Sequence, residues 1–199
     1  MAVRKKCIVI YTEGETEYEF YDSLLEGIKL KYGISKFSVD KISKRNLKGI
    51  TKFDKKIINK FGNDMNTIYK GYEVIVFLCY DTDVFDCSAK PPVDWDNVES
   101  ELYKLGANKI YHLKADKCIE DIFLLDLPGI CKFLKIPFIK KVNGVDGVDK
   151  IKYLFSKGNR IYQKGFSCDG FIKNLNIDVI LEKKISAFEP LINELIDKE

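Results

Sequence analysis

At 199 residues the chain is the size of one ordinary domain, or of one domain with a small appendage. Hydrophobic residues at 46% and aromatic residues at 13% supply a core and exclude an intrinsically disordered chain, while no apolar run approaches the roughly 18 residues that span a bilayer. The net charge of +3 is too small to argue for nucleic acid by itself.

The N-terminus, MAVRKKCIVIYTEG, opens like a signal peptide, with basic residues before an apolar run. That run is short and is followed by acidic residues where a cleavage site would lie, so it reads as a strand and a cytoplasmic location is expected. KCIVIYT is continuous and β-branched, the pattern of a strand buried on both faces. A helical pattern follows from Thr16 to about Lys31, with Phe20, Leu24 and Ile28 on one stripe. Lys36 to Ser43 alternates weakly, as an edge strand would, and a second helical stretch runs from Thr51 to about Gly62. EVIVFLCY, the most hydrophobic run, ends at Asp81. A turn at Pro91 and Pro92 precedes the helical WDNVESELYKL, which Gly106 stops, and NKIYHL is a fourth strand.

This alternation predicts an α/β fold, a parallel sheet of about four strands with helices on both faces. Beyond Ala115 the patterns are helical: Ile119–Leu127, Gly129–Leu134, Val148–Phe155 and Ile177–Leu195, the last with Pro190 positioned to break or kink it. Residues 1–130 are expected to form the sheet domain and 131–199 a mainly helical C-terminal extension.

The six cysteines are scattered, with no CxxC pair, which argues against a disulfide framework or a zinc site. The single histidine, His112, lies within KIYHL and reads as a satisfied strand residue, leaving little room for histidine-based nucleophilic catalysis. Positive charge is concentrated between Leu30 and Asn59. There Lys41, Lys44, Arg45, Lys48 and Lys52 form a candidate phosphate-binding surface, with a merely solvated face as the alternative. The segment KGNRIYQKGFSCDGFIKNLNI interleaves Lys157, Arg160, Lys164 and Lys173 with Tyr162, Phe166 and Phe171. Such a pattern can stack on single-stranded nucleic acid, although a loop packing its aromatics on a core is the simpler reading.

Acidic residues mark the carboxyl ends of two strands, where ligands bind in open parallel sheets. The first strand delivers Glu13 and, one helical turn on, Glu17; the third delivers Asp81 and Asp83. Crowded carboxylates repel one another, and a hard divalent cation relieves that cost. With oxygen donors and no histidine or cysteine, the expected ion is Mg²⁺ or Mn²⁺. Gly14 would permit a tight turn and a close ligand approach. Glu15 and Glu19 read as ordinary charge at a helix N-terminus.

Glu-Gly after the first strand and Asp-x-Asp after a later one resemble the Toprim domain of topoisomerases, primases and several nucleases. The form EGETE is similar to the EGxTE variant of OLD-type and RloB-like Toprim nucleases, and DKCIEDIFLLDL resembles the glutamate-bearing helix of RloB-like proteins. The resemblance covers roughly residues 5 to 130. It implies that Glu13 is a metal ligand or general acid/base, that Asp81 and Asp83 hold Mg²⁺, and that Glu17 serves a second ion. Glu120 matches the additional acidic position, with Asp116 and Asp121 as close competitors. Lys114 or Lys117 is the implied charge-stabilising base. The implied activity is hydrolysis of nucleic-acid phosphodiester bonds, in the context of antiviral defence, with a protein partner or a homodimer possible and no membrane.

Three other readings stay open. A catalytically inactive subunit of the same fold could bind nucleic acid or a partner, and a nuclease could mature structured RNA. DTDVF also looks like the motif of haloacid-dehalogenase-type phosphatases, but there it follows the first strand, and EGETE would go unexplained.

Overall fold

Apolar runs that alternate faces every residue form the centre of the molecule: β1 (Lys5–Thr12) and β3 (Tyr72–Asp81), whose side chains from Cys7 to Thr12 and from Val74 to Asp81 are all buried. In this computed structural model, which describes residues 5–83, 92–167 and 170–197, they lie side by side in a four-stranded, all-parallel sheet. The order is β2–β1–β3–β4, with β2 spanning Lys41–Asn46 and β4 spanning Lys109–Ala115. In register, Thr12 sits opposite Cys79, so Asp81 projects past the end of β1. The turn expected at Pro91 lies outside the described residues, as do Cys87 and Cys168. Cys7, Cys79, Cys118 and Cys131 are free, buried thiols.

Helices cover both faces. On one, Ile8, Ile10, Ile75, Phe77 and Cys79 pack with α1 (Glu15–Tyr32), α4 (Ile119–Phe123), α5 (Leu127–Leu134), α6 (Gly147–Lys157) and α7 (Ile177–Leu195). On the other, Cys7, Val9, Tyr11, Val76 and Leu78 pack with α2 (Lys55–Thr67) and α3 (Trp95–Lys104). The described residues from Cys131 to Ile196, in the stretch expected as an extension, share the first of these cores and supply much of its wall. Among the described residues no helix is long and apolar enough to cross a membrane.

Several boundaries moved. The edge strand is Lys41–Asn46, not Lys36–Ser43, because pairing with β1 (Cys7 opposite Lys41 through Thr12 opposite Asn46) selects the register that a weak charged alternation leaves undecided. Helix α2 begins later than Thr51, after a short 3₁₀ turn at Ile50–Lys52, and runs through Gly62 to Thr67. Gly106 stops α3 as expected, with φ at 110°, where a side chain would be strained. The irregularity in α7 lies at Lys184 (φ −136°, ψ 31°) rather than at Pro190, which sits inside the helix. His112 is satisfied on β4, bonded to the Tyr80 hydroxyl and to Glu99, both at 2.9 Å.

The C-terminal helix is tied across the sheet by one buried carboxylate. Glu194 takes Lys6 of β1 on one oxygen, at 2.8 Å. Its other oxygen takes Lys109 and the Tyr111 hydroxyl of β4, each at 2.8 Å. Burial alone would raise its pKa, but these donors outweigh it and hold the carboxyl down at about 2.

Candidate active site

The carboxyl ends of β1 and β3, the start of α1 and the short helix α4 converge on one acidic cluster. Asp81 continues the Ile75–Phe77–Cys79 face of β3, so its side chain enters the layer covered by α1 and α4 and is 1% exposed. The backbone N–H of Ile119 fixes one carboxylate oxygen at 2.9 Å, and the Asp81 N–H approaches Oε2 of Glu13 at 3.4 Å. Asp83 is held through its backbone: its N–H donates to the Lys117 carbonyl at 2.9 Å, and the Lys117 N–H donates to Thr82 Oγ1 at 2.9 Å. Glu13 is positioned likewise, its carbonyl accepting from the Gly49 N–H at 2.8 Å.

Glu17 and Glu120 complete the group, both buried. Glu120 accepts from the Tyr162 hydroxyl at 2.7 Å on one oxygen. Its other oxygen, and Oε2 of Glu17, are buried without a hydrogen-bond partner. Of the competitors, Asp116 is exposed, and Asp121 turns toward Cys118, whose Sγ lies 3.5 Å away.

The ammonium group in this cluster belongs to Lys164. Its Nζ lies 2.8 Å from Oδ2 of Asp81 and 2.9 Å from Oδ2 of Asp83. Oδ2 of Asp81 has that ion-pair contact but no hydrogen bond of good geometry. Lys114 and Lys117, the lysines expected here, have exposed side chains; Lys117 contributes through its backbone. In the sequence Lys164 and Tyr162 stand only within a basic and aromatic loop, and no spacing rule in that stretch ties them to β3 or α4.

The electrostatics follow from burial and crowding. Burial raises the Glu13 carboxyl. Burial, then the charges of Glu13 and Glu120, push Glu17 up to about 7. Burial and the charge of Glu17, with Glu120 adding, push Asp81 up to about 8 against the pull of Lys164. Lys164 would lose its proton more readily through burial, but Asp81 and Asp83 reverse this and hold it charged. Among the described residues the carboxylates outnumber the ammonium group, a balance that protons or a cation would complete near neutral pH.

That shortfall, together with the unpartnered oxygens of Glu17 and Glu120, fits a hard divalent ion, since the donors are all carboxylate oxygens. Glu13, Glu17, Asp81, Asp83 and Glu120 would hold it. Among the described residues, no three of these groups are already drawn together as a ready-made metal cage, and Lys164 stands between Asp81 and Asp83.

A cavity of about 550 Å³ opens beside the cluster, walled by Glu13, Gly14, Glu17, Lys48, Lys164 and Phe166 among others. Gly14 is extended (φ −136°), so it is not needed for a left-handed turn; a Cβ there would lie 2.7 Å from Oε2 of Glu17 and would require that carboxylate to shift. Glu15 does more than complement the helix dipole, since it also walls the cavity and accepts from Asn46 at 2.8 Å.

The expected phosphate-binding surface divides in two. Lys41 donates to the Ile68 carbonyl at 3.4 Å, Lys44 pairs with Asp22 and lies over the Tyr18 ring, and Arg45 bonds Asp64 at 3.2 Å. Lys48 and Lys52 are exposed, and only Lys48 of these basic residues walls the cavity. Comparison with known proteins returns no match: no family model fits the chain, and neither a curated protein nor a solved structure aligns with it significantly.

Proposed function

We propose that the chain is a divalent-cation-dependent nuclease that hydrolyses nucleic-acid phosphodiester bonds at the carboxyl edge of its sheet. The observation that carries this reading is the convergence of buried carboxylates from α1, β3 and α4, with oxygens of Glu17 and Glu120 left unpartnered. Leaving such a group buried costs about 1–3 kcal/mol or more, which a purely structural cluster has no reason to bear. The likeness of EGETE and DTD to Toprim nucleases supplies the substrate class, and the exposed Lys48 at the cavity wall suits a phosphate backbone.

Mg²⁺ or Mn²⁺ held by these carboxylates supplies charge neutralisation at the phosphate and a more acidic bound water. The chain's own groups do the rest. The Ile119 N–H and the Lys117 carbonyl fix Asp81 and Asp83, and Tyr162 orients Glu120. Glu17, whose Oε2 has no hydrogen-bond partner, keeps that oxygen available to the cation. Lys164 presents a fixed positive charge where negative charge develops on the phosphate.

A second reading, a non-hydrolytic nucleic-acid-binding or partner-binding subunit, draws on the Lys164 bridge, which already neutralises part of the cluster. A cleavage assay on mixed DNA and structured RNA with Mg²⁺ or Mn²⁺ separates the two. Cleavage that disappears in Asp81→Ala, with the melting curve preserved, supports hydrolysis. Undiminished cleavage by Asp81→Ala, or none by the natural chain with either ion, sinks it.

A further inference from the structure

A second cavity, of about 760 Å³, adjoins the first, and the two share Phe166 and Ser167 as walls. Its other walls include Phe133, Arg160, Ile161 and Gln163. The loop that forms it sorts its apolar side chains sharply: Tyr162 and Phe171 are buried, at 4% and 1% exposure, whereas Ile161 and Phe166 are 90% and 60% exposed. Core packing therefore accounts for the first pair, while the second keeps most of its surface open to solvent. Isolated exposed apolar residues need no explanation, but these two wall the same cavity, and through Phe166 and Ser167 it adjoins the cavity that Glu13 and Glu17 wall.

The loop is pinned to the cluster at several points. Tyr162 bonds Glu120, Lys164 bridges Asp81 and Asp83, and the Gly165 N–H donates to Thr16 Oγ1 at 3.2 Å. The Phe166 N–H closes a turn onto the Gln163 carbonyl at 3.2 Å. Phe166 thus stands two residues from the lysine at the carboxylates, on a backbone that cannot drift from them. At the far side the Arg160 guanidinium lies 4.7 Å from the centre of the Phe133 ring, a stacked cation beside an apolar face.

We propose that this ledge stacks an unpaired nucleobase adjoining the phosphodiester to be cut, so that the substrate is a single-stranded segment of nucleic acid. The proposal rests on the hydrolytic reading for its position beside the cut bond. Its chemistry is that of a base: an aromatic and aliphatic face for the ring, an arginine plane beside it, and the Gln163 amide at the edge. A duplex keeps its base faces stacked on one another and offers nothing to such a surface.

The test uses the full chain in EDTA, so that binding is read without cleavage, and oligonucleotides carrying 2-aminopurine as DNA or RNA, single-stranded or duplex. Saturable quenching by the single strand but not by the blunt duplex is expected, and the two sugar forms identify which polymer is taken. Phe166→Ala should weaken single-strand binding by about ten-fold, in the range of one lost base stack. Phe166→Trp should retain binding and add a tryptophan emission that the base quenches. Because Phe166 is exposed, both variants should melt with the natural chain. Equal binding by Phe166→Ala and the natural chain, or preference for the duplex, overturns the ledge. A peptide competitor that displaces the oligonucleotide from Phe166→Trp at lower concentration than a second oligonucleotide does overturns it as well. Phe166-dependent binding without cleavage in any divalent ion keeps the ledge and removes the hydrolytic reading. Asp81-dependent cleavage with KM unchanged in Phe166→Ala does the reverse.

Discussion

Lys164→Met removes the ammonium group that bridges Asp81 and Asp83 while keeping a stem of similar length. The Asp83 half of its bridge is partly solvated, with that side chain 40% exposed, and is worth at most about 1 kcal/mol. The Asp81 half is different, because Asp81 is 1% exposed. Stripping a buried carboxylate of its partner costs about 3–5 kcal/mol if the charge must stay, and less if the carboxyl can take up a proton instead. Asp81 is already pushed to about 8, and without Lys164 it moves higher. An acid whose folded pKa exceeds its unfolded value stabilises the fold at low pH and loses that contribution as pH rises toward the folded pKa. The cost of Lys164→Met should therefore be small at pH 5, about 1 kcal/mol, and grow to about 2 kcal/mol at pH 8, less through Asp81, which is still half protonated there, than through Glu17, which sits near 7 and which the Lys164 charge also holds down. For a chain of this size that corresponds to a melting-temperature loss of about 2–4 °C growing to about 4–8 °C. Circular-dichroism melts in EDTA at the two pH values measure it, and millimolar Mg²⁺ or Mn²⁺ should restore more stability to the variant than to the natural chain. A loss that is the same at both pH values, or indifferent to divalent ions, would refute the claim that this ammonium balances an excess of buried carboxylate.

Two further perturbations test the scaffold away from the cluster. Glu194→Gln keeps the shape of the clamp between β1, β4 and α7 but removes its charge; because the folded carboxyl titrates near 2, below its ordinary value of 4.5, its stabilisation is full above pH 4.5 and fades as pH falls toward 2. Urea titrations should show a deficit of about 2–3 kcal/mol at pH 7 that disappears near pH 2. Gly27→Ala in α1 places a Cβ 2.4 Å from Cγ2 of Ile177, so the clash of about 1–3 kcal/mol outweighs the gain of about 1 kcal/mol in helix propensity. Adding Ile177→Ala removes the Cγ2 contact but leaves Cβ at 2.8 Å, so it should recover only part of that clash as a favourable coupling in a double-mutant cycle; simple additivity would show that the Cγ2 contact is not felt.

Much of the architecture was legible because its signals are local. The continuous apolar runs KCIVIYT and EVIVFLCY give two strands buried on both faces, and two such strands are best hidden as central neighbours, which is where β1 and β3 lie. The strand-end positions of Glu13, Asp81 and Asp83 followed from the same runs. The register of β2 did not, because KFSVDKISKRN carries no strong face of its own and takes its pairing from β1. Nor did the fate of Lys41, Lys44 and Arg45, whose charges are engaged by Ile68, Asp22 and Asp64 at distances along the chain that composition cannot see.

The sequence by itself therefore determined the parallel sheet, the helices on its two faces and the acidic ends of two strands, since periods of two and of 3.6 residues are written in neighbouring side chains. The tertiary structure alone decided that Glu120 rather than Asp116 or Asp121 joins the cluster, and that Lys164 neutralises it. Lys164 reaches Asp83 across 81 residues of chain, and no local periodicity encodes such a meeting. It arises because α4 to α7 close over the same sheet face on which Asp81 is buried, and a carboxylate withdrawn from water there must find its counter-charge from whatever the closing chain brings.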